Sequence, residues 1–331
     1  MEKVSIIIPA YNEENHITTA IESLLDTDYP RELLEILVVD GGSTDNTVRQ
    51  VRQLQEKYGF IRLLNNPQKI VPVALNIGIK NATGSIIIRA DAHSTYSRNY
   101  VYELVTWLEK LQAGNVGGRV INIPKKQTKQ AIAIARVLES RFGVGNASFR
   151  TEDSHAPVEV DTVPFGCWKK TVFDKTGLFD ERLERVQDLE MNKRLKRAGE
   201  KIYLLPWVKI FYHPRETYIK FAKNYYQNGY WNILTVYFTR TLRNLSVRHY
   251  IPLLFVLGLI LPLIAALFIP KMALLTLSLL TVYLLATVLF AYKTPRKGTD
   301  IIHMMLAFFT IHFSYGLGEL MALLSLPFKK R

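Results

Sequence analysis

Three short apolar runs restrict the fold of this chain more than anything else in it. They are VSIIIP from Val4 to Pro9, EILVVD from Glu35 to Asp40, and SIIIR from Ser85 to Arg89. Each is four to six residues long, rich in β-branched side chains, and apolar almost without alternation. Half-buried strands alternate, whereas strands covered on both faces do not, so these runs predict a parallel sheet with helices on each side. The segments between them carry apolar residues at helical spacing. Glu14–Leu25 has Ile17, Ala20, Ile21, Leu24 and Leu25; Asp45–Tyr58 has Val48, Val51 and Leu54 after a Ser43-Thr44-Asp45 capping signal; Val71–Asn81 is a third. Alternating strands and helices of this size predict an α/β fold with a mostly parallel sheet.

Beyond Tyr100 the pattern loosens. Val101–Leu111 and Gln187–Ala198 read as helices, the second stopped by Gly199. Asn115–Ile123 reads as a strand with a glycine bulge, Lys201–Leu205 as a last strand, and Gly143–Val163 as an irregular loop. Thr217–Thr241 reads as an aromatic, basic helix that either packs on a core or lies at a membrane interface. The single cysteine, Cys167, excludes an internal disulfide and a cysteine-based metal cluster. The chain opens directly into a strand pattern, without the order of a secretory leader.

In open α/β sheets ligands sit outside the C-terminal strand ends. Three such ends carry polar groups here. The first is Pro9-Ala10-Tyr11-Asn12-Glu13 and the second Asp40-Gly41-Gly42-Ser43. Asp40 suits a nucleobase or ribose contact, and equally suits a cap on the helix that follows. The third is Arg89-Ala90-Asp91-Ala92-His93. A carboxylate and an imidazole two residues apart can share one cation; that donor set suits Mn²⁺, while Mg²⁺ favours oxygen alone. A fourth element, Gln187-Asp188-Leu189-Glu190, puts acids at a helix start. Asp188 is there either as an N-cap or as a general base, and Glu190 is turned from it by about 200° around the helix. Cys167 has no neighbour in sequence that would lower its pKa, which makes it a packing residue.

Taken in order, these elements resemble the family 2 glycosyltransferases of the GT-A fold. VSIIIPAYNEE, LVVDGGSTDNT, LNIGIKNATGSIIIRADAHSTY and VPFGCWKKTVFDKTGLFDERLERVQDLEMNKRLKRAGEKIY carry the resemblance, from about residue 4 to residue 235. The FGCW segment, the Asp-Ala-His and the apolar tail resemble the exopolysaccharide, succinoglycan-type glucosyltransferases within it. The resemblance implies an inverting, metal-dependent transferase with a nucleotide-diphosphate donor, most often a UDP-sugar. It implies that Pro9, Tyr11, Glu13, Asp40 and Arg89 bind the donor and that Asp91 sits at the diphosphate and a divalent cation, Mn²⁺ or Mg²⁺. His93 takes the place of the second acidic ligand, with His213 as a third candidate, and Asp188 is the general base. Gly166, Trp168, Gln227 and Trp231 fall on the acceptor side. Gln227-Asn228-Gly229-Tyr230-Trp231 has tyrosine where processive relatives carry arginine, which implies addition of a single sugar. Two other readings compete: a polyprenyl-phosphate sugar synthase, which needs no strong base, and a non-catalytic nucleotide-binding membrane subunit.

The C-terminal 82 residues, Tyr250–Arg331, hold 53 apolar residues, two acids and seven bases, and account for +5 of the +13 net charge. Ile251–Ile269 and Met272–Tyr292 are uncharged and long enough to cross a bilayer, which takes about 20 apolar residues. Ile301–Phe328 is also long enough, but Gly316, Gly318 and Glu319 interrupt it, so it spans, re-enters or lies against the others. Three parts are therefore expected: a catalytic domain over 1–215, amphipathic juxtamembrane helices over 216–249, and two or three membrane helices over 250–331. Arg240, Arg243, Arg248, Lys293, Arg296 and Lys297 flank the first two segments on one side, and Lys271 alone lies between them. The positive-inside rule then puts the catalytic domain in the cytoplasm at an inner membrane of bacterial type. Lys329-Lys330-Arg331 would fall outside after three spans, which argues for a re-entrant or interfacial third segment. The expected partners are the donor, a lipid-linked or glycan acceptor, membrane lipids and polysaccharide-assembly proteins. Nucleic acid is not among them, because the bases are dispersed and no binding motif is present.

Overall fold

A computed structural model describes residues 1–242, 245–295 and 297–329. Arg243, Arg296, Lys330 and Arg331, used in the topology argument, lie outside the described residues. The chain divides into two compact units: Met1–Ile121 with Glu152–Tyr212, and Asn122–Thr151 with His213–Arg331.

The first unit begins β1 (Val4–Ala10), α1 (Ile17–Leu25), β2 (Leu34–Asp40), α2 (Thr47–Lys57), β3 (Ile61–Asn65), α3 (Val71–Asn81) and β4 (Ile86–Arg89). The three apolar runs are strands, and β2 is buried at all seven positions. β1 pairs in parallel with β2 on one side and β4 on the other, and β3 continues the parallel half beyond β2. Register aligns Ala10 with Asp40 and Ile7 with Arg89, which brings the polar strand ends to one edge.

Next come β5 (Ser94–Tyr96), α4 (Tyr100–Lys110) and β6 (Asn115–Asn122), followed by α5 (Lys129–Val137), α6 (Arg141–Val144) and α7 (Ser148–Thr151) of the second unit. β7 (Val158–Glu159), β8 (Cys167–Lys169), α8 (Val172–Thr176), α9 (Gln187–Arg197) and β9 (Ile202–Tyr212) complete the sheet, ordered β3-β2-β1-β4-β8-β6-β9-β5 with β7 on β9. β8 runs antiparallel to β4 and to β6, and β9 antiparallel to β5 and to β7. This is the GT-A type of α/β domain.

Two expectations need correction. β9 does not stop at Leu205 but runs eleven residues through Pro206 to Tyr212. Gly117 and Gly118 of β6 admit close neighbours, since added Cβ atoms would meet Val163 at 2.6 Å and the Val208 carbonyl at 2.7 Å. The segment 143–163 holds α6, α7 and β7 rather than loop alone.

The second unit adds α10 (Tyr218–Thr239), α11 (Ile251–Ala265), α12 (Met272–Lys293) and α13 (Ile301–Ser325). Three helices are long and apolar enough to cross a membrane: Val247–Ala265, Met272–Lys293 and Ile301–Phe328. At 1.5 Å per residue α12 spans about 33 Å, the thickness of a bilayer core. Gly316 and Gly318 do not interrupt α13, which is one unbroken helix of 25 residues. They let it pack: a Cβ at Gly316 would lie 2.1 Å from the Pro252 carbonyl, and one at Gly318 2.0 Å from that of Tyr226. α13 buries Met304, Ala307, Phe308 and Ile311 against Ile134 and Val137 of α5, Phe221 of α10 and Ala291 of α12. Phe142 stacks on Phe290 at 4.4 Å within that core. α11 and α12 expose Leu254, Leu261, Leu274, Val282 and Leu285, and the other face of α13 exposes Ile302, Leu306 and Leu324. α10 thus packs on a protein core, one of the two roles open to it.

Candidate active site

The loops after β1 and β2 are bound to each other. Asn12, held in the left-handed region (φ 56°), accepts from the Thr44 amide at 2.8 Å, and its own amide donates to Ser43 Oγ at 2.8 Å. The Glu13 amide donates to Thr47 Oγ1 at 2.7 Å. Asp40 turns inward: Oδ2 accepts from the Gly42 and Ser43 amides at 2.9 and 3.0 Å, and Oδ1 from the Ser43 hydroxyl. It therefore organises its own turn and does not cap α2, whose N-cap is Asn46. Pro9 lies within β1 opposite Val39, and Tyr11 stands exposed at the strand end. Lys69, also left-handed (φ 64°), lies against Gly41 and Gly42 and brings a cation that the sequence did not single out.

Asp91 and His93 follow β4 directly. Asp91 Oδ1 accepts from the His93 amide at 2.8 Å and lies 3.8 Å from His93 Nδ1. Glu13 is nearer still, its Oε1 2.9 Å from the same nitrogen, and the His16 ring stacks on His93 at 4.9 Å. So Glu13, expected at the nucleoside, faces the imidazole. A carboxylate on one ring nitrogen is the usual way to orient a metal-binding histidine. Asp91 and His93 are a donor pair that fits a cation also held by diphosphate oxygens and water. Among the described residues no cluster of three or more His, Cys, Asp or Glu side chains makes a closed metal site. His213 belongs to the second unit, with its Nδ1 2.8 Å from the Ile123 carbonyl oxygen.

Asp188 is not a helix cap. The N-cap of α9 is Val186, a β-branched residue in the left-handed region (φ 65°, ψ 8°), and it makes no side-chain cap bond. Asp188 lies in the first turn, where Oδ1 pairs with the Arg89 guanidinium and Oδ2 faces the Phe165 amide at 3.4 Å. Phe165 is left-handed as well (φ 65°), followed by Gly166 at φ 87°. Two non-glycine residues in this region, both beside one carboxylate, are strain of the kind found at functional sites. Burial raises the Asp188 pKa above the ordinary Asp value, opposed by Arg89 and the Phe165 amide and assisted by Asp91. Glu190 pairs instead with Arg194 at 2.7 Å, and Arg194 donates to the Thr176 and Leu178 carbonyls. Glu190 therefore holds helix to loop.

Gly166 is required where it stands, since a Cβ would meet Trp168 Cζ2 at 2.4 Å and Asn115 Oδ1 at 2.6 Å. Trp168, expected on the acceptor side, is 1% exposed and packs on Phe173 and Phe179. Cys167 is buried, its thiol pushed well up by burial, as a packing residue's should be. Gln227 and Trp231 lie half-buried on α10 in the second unit. The Glu13–His93 pairing and Lys69 had no local sequence signal, because their partners are distant in the chain.

The family model "Glycosyl transferase family 2" matches residues 5–169, which holds both loop carboxylates, Asp91 and His93. A Methanococcus voltae protein, dolichyl N-acetyl-alpha-D-glucosaminyl phosphate 3-beta-D-2,3-diacetamido-2,3-dideoxy-beta-D-glucuronosyltransferase, is 32% identical over 256 residues, 72% of this chain and 78% of that one. The chain belongs to glycosyltransferase family 2. A second member of the family, succinoglycan biosynthesis protein ExoA of Rhizobium meliloti, is 28% identical over 68% of this chain and 67% of its own. The fold matches the mannosyltransferase PcManGT of Pyrobaculum calidifontis, solved with GDP-Man and Mn²⁺, at a TM-score of 0.62 and 21% identity, over 96% of this chain and 87% of that one. As a family 2 glycosyltransferase, the protein is an enzyme that uses a nucleotide-sugar donor.

Proposed function

We propose that this enzyme transfers one sugar, with inversion, from a nucleoside-diphosphate sugar, a UDP-sugar by preference, to a glycan or polyprenyl-linked acceptor at the cytoplasmic face of an inner membrane. The observation that carries the reading is Asp188: a carboxylate near the C-terminal end of β4, free of capping duty and raised in pKa by burial. It accepts the acceptor hydroxyl proton as the oxygen–C1 bond forms and the C1–oxygen bond to the diphosphate breaks on the opposite face. A positioned base of this kind contributes about 10²–10⁴-fold. Asp91 and His93 would hold a divalent cation, whose charge offsets that on the departing diphosphate when bound. Asp40, Tyr11, Pro9 and Lys69 border the loops that would hold the nucleoside. Gly166 shapes the acceptor side, with Gln227 and Trp231 of α10 as further acceptor candidates and His213 as a further diphosphate candidate.

The name of the Methanococcus relative describes transfer to a dolichyl-linked sugar phosphate, and that of the Rhizobium relative succinoglycan biosynthesis. The first supports a lipid-linked acceptor and the second a role in polysaccharide synthesis. The apolar faces of α11 and α12 support a two-helix membrane hairpin, with α13 packed by one face on α5, α10 and α12 and re-entrant or interfacial by the other, so that the chain ends on the cytoplasmic side. The test is transfer by the full chain in detergent, with a panel of nucleotide sugars and polyprenyl-linked acceptors, read by mass spectrometry. Expected is one added hexose on one acceptor class, with loss of turnover on chelation. Nucleotide-sugar turnover with no glycosylated product would refute the reading.

A further inference from the structure

Arg89 was expected at the departing diphosphate, yet its guanidinium is paired with the base, Asp188. The pairing is built in, not a chance surface contact. Arg89 is 7% exposed, its amide donates to the Gly166 carbonyl at 3.1 Å, and its guanidinium lies over the Phe165 ring at 5.5 Å. Its Nε is buried and has no hydrogen-bond partner among the described residues, so one face of this cation has unspent donor capacity. Two residues along the chain stands Asp91, the end of the site where a diphosphate would lie. Arginine binds phosphate oxygens bidentately at least as well as it binds a carboxylate.

Resting on the donor reading above, we propose that Arg89 exchanges partners, leaving Asp188 for the donor diphosphate, so that the base is released only when donor is bound. Before donor arrives the Asp188 oxygen Oδ1 is occupied by the guanidinium. With the diphosphate in place, the cation moves to the group that gains charge in the reaction, and Asp188 is left facing the acceptor hydroxyl. The groups facing Asp188 are Arg89, the Phe165 amide and the charge of Asp91. Of these, only Arg89 carries opposite charge. The exchange makes Asp188 and the diphosphate competitors for one guanidinium, and such coupling is reciprocal.

Removing the carboxylate must therefore strengthen nucleotide binding, and only if Arg89 is present. The experiment is a double-mutant cycle by calorimetry on the full chain in detergent with Mn²⁺, with UDP and GDP as probes. Asp188→Asn, Arg89→Gln and the double variant are each checked for cooperative unfolding, and Arg89→Met replaces Arg89→Gln if the latter does not fold. Expected is a gain in affinity of roughly tenfold for Asp188→Asn, within the 5–150-fold span of coupled sites. Arg89→Gln should weaken binding, and adding Asp188→Asn to it should change nothing. An Asp188→Asn variant with unchanged or weaker affinity overturns the exchange. An equal gain in both backgrounds also overturns it, because plain charge repulsion would then suffice. Failure of the folded wild-type protein to bind either nucleotide overturns the donor reading itself, and the exchange with it.

Discussion

Gly229 and Gly318 form a reciprocal pair of notches where α10 crosses α13, and replacing either should cost stability in an amount the geometry sets. A Cβ on Gly229 would stand 2.1 Å from the Tyr315 carbonyl oxygen and 2.9 Å from its carbon; one on Gly318 would stand 2.0 Å from the Tyr226 carbonyl oxygen. These are backbone atoms of the partner helix, so no rotamer change relieves the clash. Gly229→Ala must push the helices apart by about 1 Å, a gap that forfeits a quarter to a half of each contact's attraction. Overpacking of this kind costs about 1–3 kcal/mol, and rigid backbone puts it near the upper end. In an exposed helix the same change would gain about 1 kcal/mol. The net expectation is a loss of about 2 kcal/mol. Gly258 of α11 is the internal control, since its Cβ would meet only Leu279 Cδ1 at an ordinary 3.5 Å, and Gly258→Ala should be neutral or stabilising. Thermal unfolding of both variants in one detergent decides the matter. A Gly229→Ala melting temperature equal to or above that of wild type would refute the notch argument.

Other expectations follow from the site and the bundle. Asp188→Asn should fold, because Val186 and not Asp188 occupies the N-cap, while turnover falls by about 10²–10⁴-fold; wild-type turnover would end the base assignment. The acid limb of turnover should lie above the ordinary Asp range, because burial raises Asp188 and the base must be ionised. The sign for stability is opposite: this carboxyl favours the fold at pH below the Asp range and loses that contribution as pH rises through its folded pKa. Asp91→Ala should weaken UDP binding in Mn²⁺ more than in chelator, and an equal affinity change in both would remove Asp91 from the cation site. A reporter fused after the last residue should map to the same side as the N-terminus, with one at Lys271 on the other side; opposite termini would restore α13 as a third span.

The parallel half of the sheet was legible because unbroken β-branched runs bounded by turn residues have one economical fate. The motifs at the strand ends were legible for the same reason, since register carries them to one edge. What escaped depended on partners far away in sequence. Nothing within reach of Glu13 announces His93, 80 residues on. α5 was missed because QAIAIA alternates large and small apolar residues like a strand, and becomes a helix by packing on α13. β9 was cut short at Pro206, a residue that usually ends strands. Gly316 and Gly318 looked like breaks because a packing glycine and a breaking glycine are identical until the neighbouring helix is known. Asp188 stayed ambiguous between cap and base until the left-handed Val186 took the cap position.

The twisted backbone at Phe165 and Val186 bears on how this enzyme can change. Each such residue costs roughly 1–3 kcal/mol, and both are spent on the walls of a single carboxylate. Glycine at position 186 would relax the chain and raise its melting temperature. It would also free the first turn of α9 to drift, and with it the atom that must meet the acceptor proton. The easiest gains in durability therefore lie where they harm catalysis most. A search for hardier variants scored on folding alone should collect substitutions at Val186, and one scored on sugar transfer should reject them.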